Sequence, residues 1–181
     1  MIDGVVRTRV GYAGGMTGDP TYHNIGDHAE TIQINFDPQT ISYAGLLDVF
    51  WAGHNPSIPP PSSQYRSIVF YHNEEQKRLA LESKEREEAR LGHKVLTEIK
   101  PASDFHLAEP YHQKYYLSLI PGIEREFRGI YRNHEDFVNS TAVARVNGFL
   151  GGNGTPERLR QEIANYGLSP LGERLLANMS R

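Results

Sequence analysis

The spacing of apolar residues changes along the first part of the chain, and this change constrains the fold more than any other feature. Apolar and polar residues alternate from Val5 to Tyr12 and again from Ala29 to Phe36, which predicts two β-strands. The spacing then becomes that of one apolar stripe on a helix, formed by Tyr43, Leu46, Leu47, Phe50 and Trp51. Ser42 stands where a helix N-cap is expected. A chain with both periods is predicted to be a mixed α/β protein.

The rest of the chain continues this mixture and then becomes helical. Ile68 to Tyr71 is typical of a short buried strand, and Asn73 to Leu91 of a solvated surface helix that Gly92 ends. Val95 to Ile99 is a further strand candidate. We therefore expect an α/β fold, arranged as an α+β sandwich, with a helical C-terminal extension from about residue 118.

Composition excludes several classes of protein. The formal net charge of −3 provides no electrostatic reason to expect a nucleic acid or an anionic membrane as partner. No apolar run approaches the roughly 18 residues of a membrane span, and the N-terminal residues lack the apolar core of a signal peptide. We therefore expect a soluble, cytoplasmic protein. The chain contains no cysteine, which excludes disulfides, thiolate metal sites and thiol catalysis by these residues.

Three side chains suit acid catalysis or hydrogen bonding to a ligand. Glu30 begins the second predicted strand near apolar Ile32 and Phe36, and a carboxyl in apolar surroundings retains its proton and serves as a general acid. Tyr22 and Tyr65 stand in or beside loops, where a phenol donates a hydrogen bond to a ligand oxygen. From the pattern alone, the alternatives are a solvated glutamate at a strand edge and tyrosines used for packing.

Histidine and aspartate residues with ligand-capable side chains form two groups. The first contains His23, Asp27 and His28, and the second contains His106 and His112. A metal site needs ligands that converge with defined geometry, and this spacing does not specify one. We therefore expect no metal site and interpret these histidines as hydrogen-bonded loop residues.

A series of longer motifs runs through residues 5–116. The motifs are RVGYAGG at 9–15, PTY at 20–22, DHAETIQINFDP at 27–38, ISYAGLLDVFW at 41–51, QYRSIVFY at 64–71, EEQKR at 74–78 and LAEPYHQKYY at 107–116. They resemble, in the family's order, successive segments of the peptide methionine sulfoxide reductase A family. Several motifs that occur in the family's order indicate membership far more specifically than any single motif does. The segment ARVNGFLGG at 144–152 is similar to a subfamily with a long C-terminal extension.

The resemblance implies a reaction and roles for the candidate residues. The family reduces the S-epimer of methionine sulfoxide, free or in oxidised proteins, by attack of a chalcogen nucleophile on sulfur and proton delivery to oxygen. Glu30 matches the general acid, and Tyr22 and Tyr65 match the tyrosines that hydrogen-bond the sulfoxide oxygen. His28, Tyr22 and Tyr65 are the expected substrate-binding residues. No bound cofactor is expected; the implied reductant is an external thiol, supplied by thioredoxin, glutaredoxin or glutathione.

The resemblance also implies a division of the chain. Residues 1–117 are expected to form a methionine sulfoxide reductase A-like domain, with a ferredoxin-like core and a mixed sheet. Residues 118–181 are expected to form a helical extension packed on it. Pro60 stands about where many family members have an aspartate, so the sequence departs from the family in the loop before Tyr65.

The family's nucleophile, in a Gly-Cys-Phe-Trp-Gly motif, is expected upstream of Met1, so the chain as it stands is predicted to be inactive alone. Two explanations are open. Met1 is an internal methionine that follows a segment bearing cysteine or a selenocysteine encoded by UGA, or the chain is a non-catalytic relic that binds methionine sulfoxide. A relic would expose apolar strand faces at Val6, Val10, Ile32 and Ile34, so it should fold poorly or oligomerise. We favour the first explanation because it accounts for both the abrupt start and the intact remainder.

Overall fold

The computed structural model describes residues 2–179 and confirms a mixed α/β fold with a helical C-terminal part. Its strands are β1 Val5–Ala13, β2 Ala29–Phe36, β3 Ile68–Tyr71, β4 Glu98–Pro101 and β5 His106–Leu107. Its α-helices are α1 Tyr43–Ala52, α2 Glu74–Leu91, α3 Tyr115–Ser118, α4 Pro121–Ile130, α5 His134–Asn139, α6 Thr141–Leu150, α7 Pro156–Glu162 and α8 Pro170–Asn178. Met1, on which the expected upstream extension depends, lies outside the described residues, as do residues 180 and 181.

The strands form two small sheets. In residues 2–179 the sheets have the orders β2-β1-β5 and β3-β4. Strands β1 and β5 are antiparallel, with Gly11 opposite Leu107, whereas β3 and β4 are parallel, with Ile68 opposite Glu98. Helix α2 makes the crossover that a parallel pair requires. Antiparallel and parallel pairing are therefore both present in the described chain.

Strand β4 begins three residues later than the sequence pattern indicated. Val95 and Leu96 do not join the sheet, because the Val95 N–H donates to the Glu88 carboxylate at 3.2 Å and the Leu96 N–H donates to the Pro56 carbonyl at 2.8 Å. Pairing with β3 starts only at Glu98. The apolar run from Val95 to Ile99 is thus divided between a loop and a strand by non-local partners.

The described chain divides into two compact units. The first combines the N-terminal stretch as far as Arg9, residues 33–36 and the chain from Glu109 onward; the second combines residues 10–32 and 37–108. The first unit has a largely helical core that includes Leu117, Phe127 and Phe137. The second has a core of Leu47, Trp51, Val69, Ala80 and Val95, within which the Trp51 indole N–H donates to Ser83 Oγ at 3.0 Å.

Local capping accounts for the start of α1 and for both ends of α2. Ser42 Oγ accepts from the Gly45 N–H at the start of α1, as the sequence predicted, and Asn73 caps α2 in the same way. Gly92 ends α2 with φ of 76°, a left-handed conformation that favours glycine. In the strands, Val6 and Ile32 are exposed.

Lys114 is a buried cation of the first unit. Its side chain lies almost entirely out of water, and Nζ donates to the Thr8 carbonyl at 2.6 Å and to Thr8 Oγ1 at 3.1 Å. Burial, followed by the positive charge of Arg9, lowers the pKa of Lys114 to about 8. The two hydrogen bonds connect the residue before α3 to strand β1.

A compact ionic cluster connects α6 to α7. Arg145 on α6 donates to both carboxylate oxygens of Glu162, and Arg158 and the Tyr166 hydroxyl donate to the same carboxylate. The Glu162 side chain is 14% exposed. The hydrogen bond from Arg145 is the main cause that lowers the pKa of Glu162 to about 2. The cluster therefore stabilises the fold only while Glu162 is ionised.

We predict that Glu162→Gln lowers the stability of the whole chain at neutral pH. The pKa of Glu162 is lower in the folded than in the unfolded state, so its contribution is present above the unfolded value and lost as pH falls toward the folded value. The expected loss at pH 7 is about 1 kcal/mol once solvent screening is included. Urea unfolding at several pH values measures it, and the difference from wild type should vanish between about pH 5 and pH 2.

Glu85→Gln is the control, because Glu85 is an exposed glutamate on helix α2. Its unfolding curve should stay close to that of the wild type. Equal effects of the two variants, or a Glu162→Gln effect that does not depend on pH, would contradict the proposed basis of the cluster's stability.

Candidate active site

The connection between β1 and β2 folds back on itself, so that residues 15–17 lie against residues 26–28. A Cβ on Gly15 would lie 2.5 Å from Asp27 Oδ1 and 2.6 Å from the His28 nitrogen, closer than side-chain carbons approach other atoms. Gly26, with φ of 61°, would similarly place a Cβ against Thr17. Glycine at both positions therefore permits the close approach.

The Asp27 carboxylate supplies acceptors for this connection. The Met16 N–H donates to both oxygens at 2.9 Å, and Oδ1 also accepts from the Thr17 N–H at 3.0 Å and from Thr17 Oγ1 at 2.8 Å. The Thr17 hydroxyl, followed by the Thr17 and Met16 amides, holds the pKa of the Asp27 carboxyl well below its usual range. The carboxylate is thus a charged clamp on the backbone of residues 16 and 17.

His28 is the second clamp, and its side chain is 1% exposed. The Gly15 N–H lies 3.2 Å from Nδ1, and Nε2 lies 2.8 Å from the Thr17 carbonyl. A backbone N–H can only donate, so Nδ1 has to accept from Gly15. A carbonyl oxygen can only accept, so the ring hydrogen has to be on Nε2, which donates to Thr17. The ring also makes an edge contact with His106, with 5.1 Å between centroids. Both ring nitrogens of His28 are therefore occupied by the backbone.

Glu30 and Tyr65 belong to segments that the structure brings together. Glu30 is the second residue of β2 and is exposed. Gln64 Nε2 donates to Glu30 Oε1 at 3.2 Å, and Arg66 donates to the Asp27 carbonyl at 2.7 Å. Tyr65 lies between these two residues, in a 3₁₀ turn, with 46% of its side chain exposed. Both neighbours of Tyr65 are therefore hydrogen-bonded to the segment that carries Glu30.

Tyr22 lies in a tight turn of the same β1–β2 connection. Thr21 and Asn24 exchange backbone hydrogen bonds of 3.3 Å and 3.1 Å around it. Its half-buried ring makes an edge contact with the His23 ring, with 5.4 Å between centroids. These two hydrogen bonds restrain the backbone on either side of Tyr22.

Gln64 and Arg66 were not among the residues predicted from the sequence to belong to the site. Only their position could have indicated this, since both flank Tyr65 within the motif QYRSIVFY. Their partners lie 34 and 39 residues away along the chain, which a sequence pattern does not reveal.

Within residues 2–179, no three or more histidine, aspartate or glutamate residues are grouped so as to hold a metal ion. Over the same range, every helix is too short or too polar to cross a membrane.

Comparison of the sequence with known proteins gives one consistent family. A family model described as peptide methionine sulfoxide reductase matches residues 1–142. A peptide methionine sulfoxide reductase of Drosophila melanogaster is 40% identical over 169 residues, which cover 92% of this chain and 68% of that protein. Peptide methionine sulfoxide reductase MsrA of Methanothermobacter thermautotrophicus is 46% identical over 125 residues, covering 63% of this chain and 74% of the relative.

Comparison with solved structures identifies the same family. Methionine sulfoxide reductase A of Corynebacterium diphtheriae superposes with a TM-score of 0.58 at 30% sequence identity, over 65% of this chain and 65% of that chain. The similarity in fold thus accompanies the similarity in sequence.

We predict that Asp27→Ala loosens the β1–β2 connection, because the amides of Met16 and Thr17 lose their acceptor. Hydrogen exchange followed by NMR should show these two amides exchanging at least about tenfold faster than in wild type. Asp104→Ala, at an exposed loop residue, is the control and should leave both rates unchanged. Unchanged rates in Asp27→Ala would mean that the carboxylate does not hold the connection.

Proposed function

Because the chain belongs to the peptide methionine sulfoxide reductase family, we propose that it takes part in reducing methionine S-sulfoxide, free or in oxidised proteins, to methionine. The match of the family model over residues 1–142 carries this proposal. In the overall reaction one sulfoxide and two thiols give methionine, one disulfide and water, so the sulfur of methionine gains two electrons and the thiols lose two.

We assign the proton-donating half of the reaction to residues of the second unit. A sulfoxide oxygen leaves sulfur only when it is protonated, so a general acid has to lie beside it. Glu30 is the proposed acid, and the hydroxyls of Tyr22 and Tyr65 donate hydrogen bonds to the sulfoxide oxygen. The contacts of Gln64 with Glu30 and of Arg66 with Asp27 support this assignment, since they bring the Tyr65 turn to the segment that bears the acid.

His28 contributes to substrate binding as a positioning residue. Its two nitrogens bond the backbone at Gly15 and Thr17, so neither is directed to a ligand. Its role in the proposal is to hold the connection that carries Tyr22. The residues proposed for acid catalysis and substrate binding all lie within residues 1–117.

The nucleophile and the reductant come from outside these residues. The 181 residues contain no cysteine, so the chalcogen that attacks the substrate sulfur, cysteine or selenocysteine, is not among them. A thiol reductant is required to return that chalcogen to its starting state, and thioredoxin, glutaredoxin and glutathione each have the necessary chemistry.

We predict that the 181-residue chain, incubated with dithiothreitol and methionine S-sulfoxide, produces no methionine. The same chain fused after a family segment with the Gly-Cys-Phe-Trp-Gly motif should produce methionine, measured by chromatography. In that fusion Glu30→Gln should lower kcat by about 10²- to 10⁴-fold, because it removes the acid proton but keeps the shape. Glu85→Gln, on the exposed side of α2, is the control and should keep full activity.

A fusion that folds but does not turn over would overturn the proposed function. Turnover by the unfused chain would show that the nucleophile does not have to be a chalcogen added from outside. A Glu30→Gln fusion as active as the Glu85→Gln fusion would remove Glu30 from the proposal.

Tyr22→Phe and Tyr65→Phe in the same fusion each remove one hydroxyl donor and leave the ring in place. Each should lower kcat by roughly tenfold, the effect of one hydrogen bond that strengthens as charge develops on oxygen. Tyr111→Phe is a matched control at an exposed tyrosine and should retain full activity. Retained kcat in either test variant would exclude that hydroxyl from the reaction.

A further inference from the structure

The residue before Tyr65 is directed at Glu30 rather than at solvent. Gln64 is half-buried on the turn Ser63–Tyr65, and its Nε2 lies 3.2 Å from Glu30 Oε1. A surface glutamine ordinarily satisfies its amide with water. A protein partner 34 residues away is therefore a specific contact between two segments.

Arg66 holds the same turn on its other side. One guanidinium nitrogen donates to the Asp27 carbonyl at 2.7 Å and another to the Ser63 carbonyl at 3.4 Å. The guanidinium also lies 3.6 Å from the Glu98 carboxylate on β4. Two partners outside the turn, Asp27 and Glu98, thus restrain it, which keeps the Gln64 amide within reach of Glu30.

The chemistry of the two groups makes the contact directional. A side-chain NH₂ can only donate, so the carboxyl oxygen that faces it acts as acceptor and does not carry the acid hydrogen. In the protonated form of Glu30 the hydrogen is therefore directed to Oε2, the oxygen that Gln64 does not contact.

Resting on the function proposed above, we propose that Gln64 is a positioning residue for Glu30: its amide holds Oε1 and leaves Oε2 to carry the proton delivered to the sulfoxide oxygen. Gln64 therefore influences which oxygen of Glu30 donates the proton.

The first test needs no substrate and uses the full chain. NMR follows the Gln64 side-chain amide during an acid titration, in wild type and in Glu30→Gln. In wild type the resonance should move as Glu30 is protonated, and in Glu30→Gln this movement should disappear. If the Gln64 resonance moved equally during the titration in wild type and in Glu30→Gln, the contact would be overturned and the inference with it.

The second test measures binding of N-acetyl-methionine S-sulfoxide to the full chain from about pH 3 to pH 7, a range that spans ionisation of an ordinary carboxyl. Wild-type affinity should fall with rising pH, because only the protonated acid donates to the sulfoxide oxygen, and Glu30→Gln should remove this dependence. In Gln64→Leu the affinity at the low-pH end should be roughly threefold weaker than in wild type, because the proton is no longer confined to Oε2, and the affinity at the high-pH end should stay that of wild type. Gln39→Leu, at an exposed glutamine, should follow wild type.

The outcomes separate the inference from the function on which it rests. A pH dependence that Glu30→Gln abolishes but Gln64→Leu does not change would overturn the role of Gln64 and keep Glu30 as the acid. A uniform loss of affinity at every pH in Gln64→Leu would indicate a purely structural role and also overturn it. Absence of sulfoxide binding by wild type at any pH would overturn the proposed binding of the sulfoxide oxygen by Glu30, Tyr22 and Tyr65, and the inference with it.

Discussion

The backbone N–H groups at the start of the β1–β2 connection depend on the side chains of Asp27 and His28 for hydrogen-bond partners. Amides at Gly15, Met16 and Thr17 donate to these two side chains, and the His28 side chain that accepts from Gly15 is buried. The close approach also requires glycine at position 15. This polar clamp fixes the backbone from which strand β2 and its second residue, Glu30, begin.

The clamp explains how an exposed acid can nevertheless have a defined position. Glu30 is not held by burial, since it lies at the surface at the start of β2. It is oriented instead by its neighbours, through Gln64 on one carboxyl oxygen and through the Arg66 contact with the preceding Asp27. Under the proposed function, an acid positioned in this way stays accessible to a methionine sulfoxide in an oxidised protein.

Local rules account for the elements that the sequence predicted well. Strand β2 and helix α1 have the expected bounds because alternation and an apolar stripe were uninterrupted there, and Ser42 and Gly92 end their helices through contacts within one turn. Strand β4 differs because the residues before Glu98 are bonded to Pro56 and Glu88 rather than to β3. An apolar run by itself does not specify which acceptors its backbone N–H groups bond.

The sequence by itself determined the strand and helix periods, the caps, the absence of a chalcogen nucleophile from these residues and the resemblance to a reductase family, because each depends on residue types at short spacing. Only the tertiary structure decided that Gln64 meets Glu30, that Arg66 meets Asp27, and that both nitrogens of His28 are used by the backbone. These contacts join residues between 11 and 39 positions apart. They arise from chain folding that brings polar donors to acceptors, and no local periodicity encodes such a pairing.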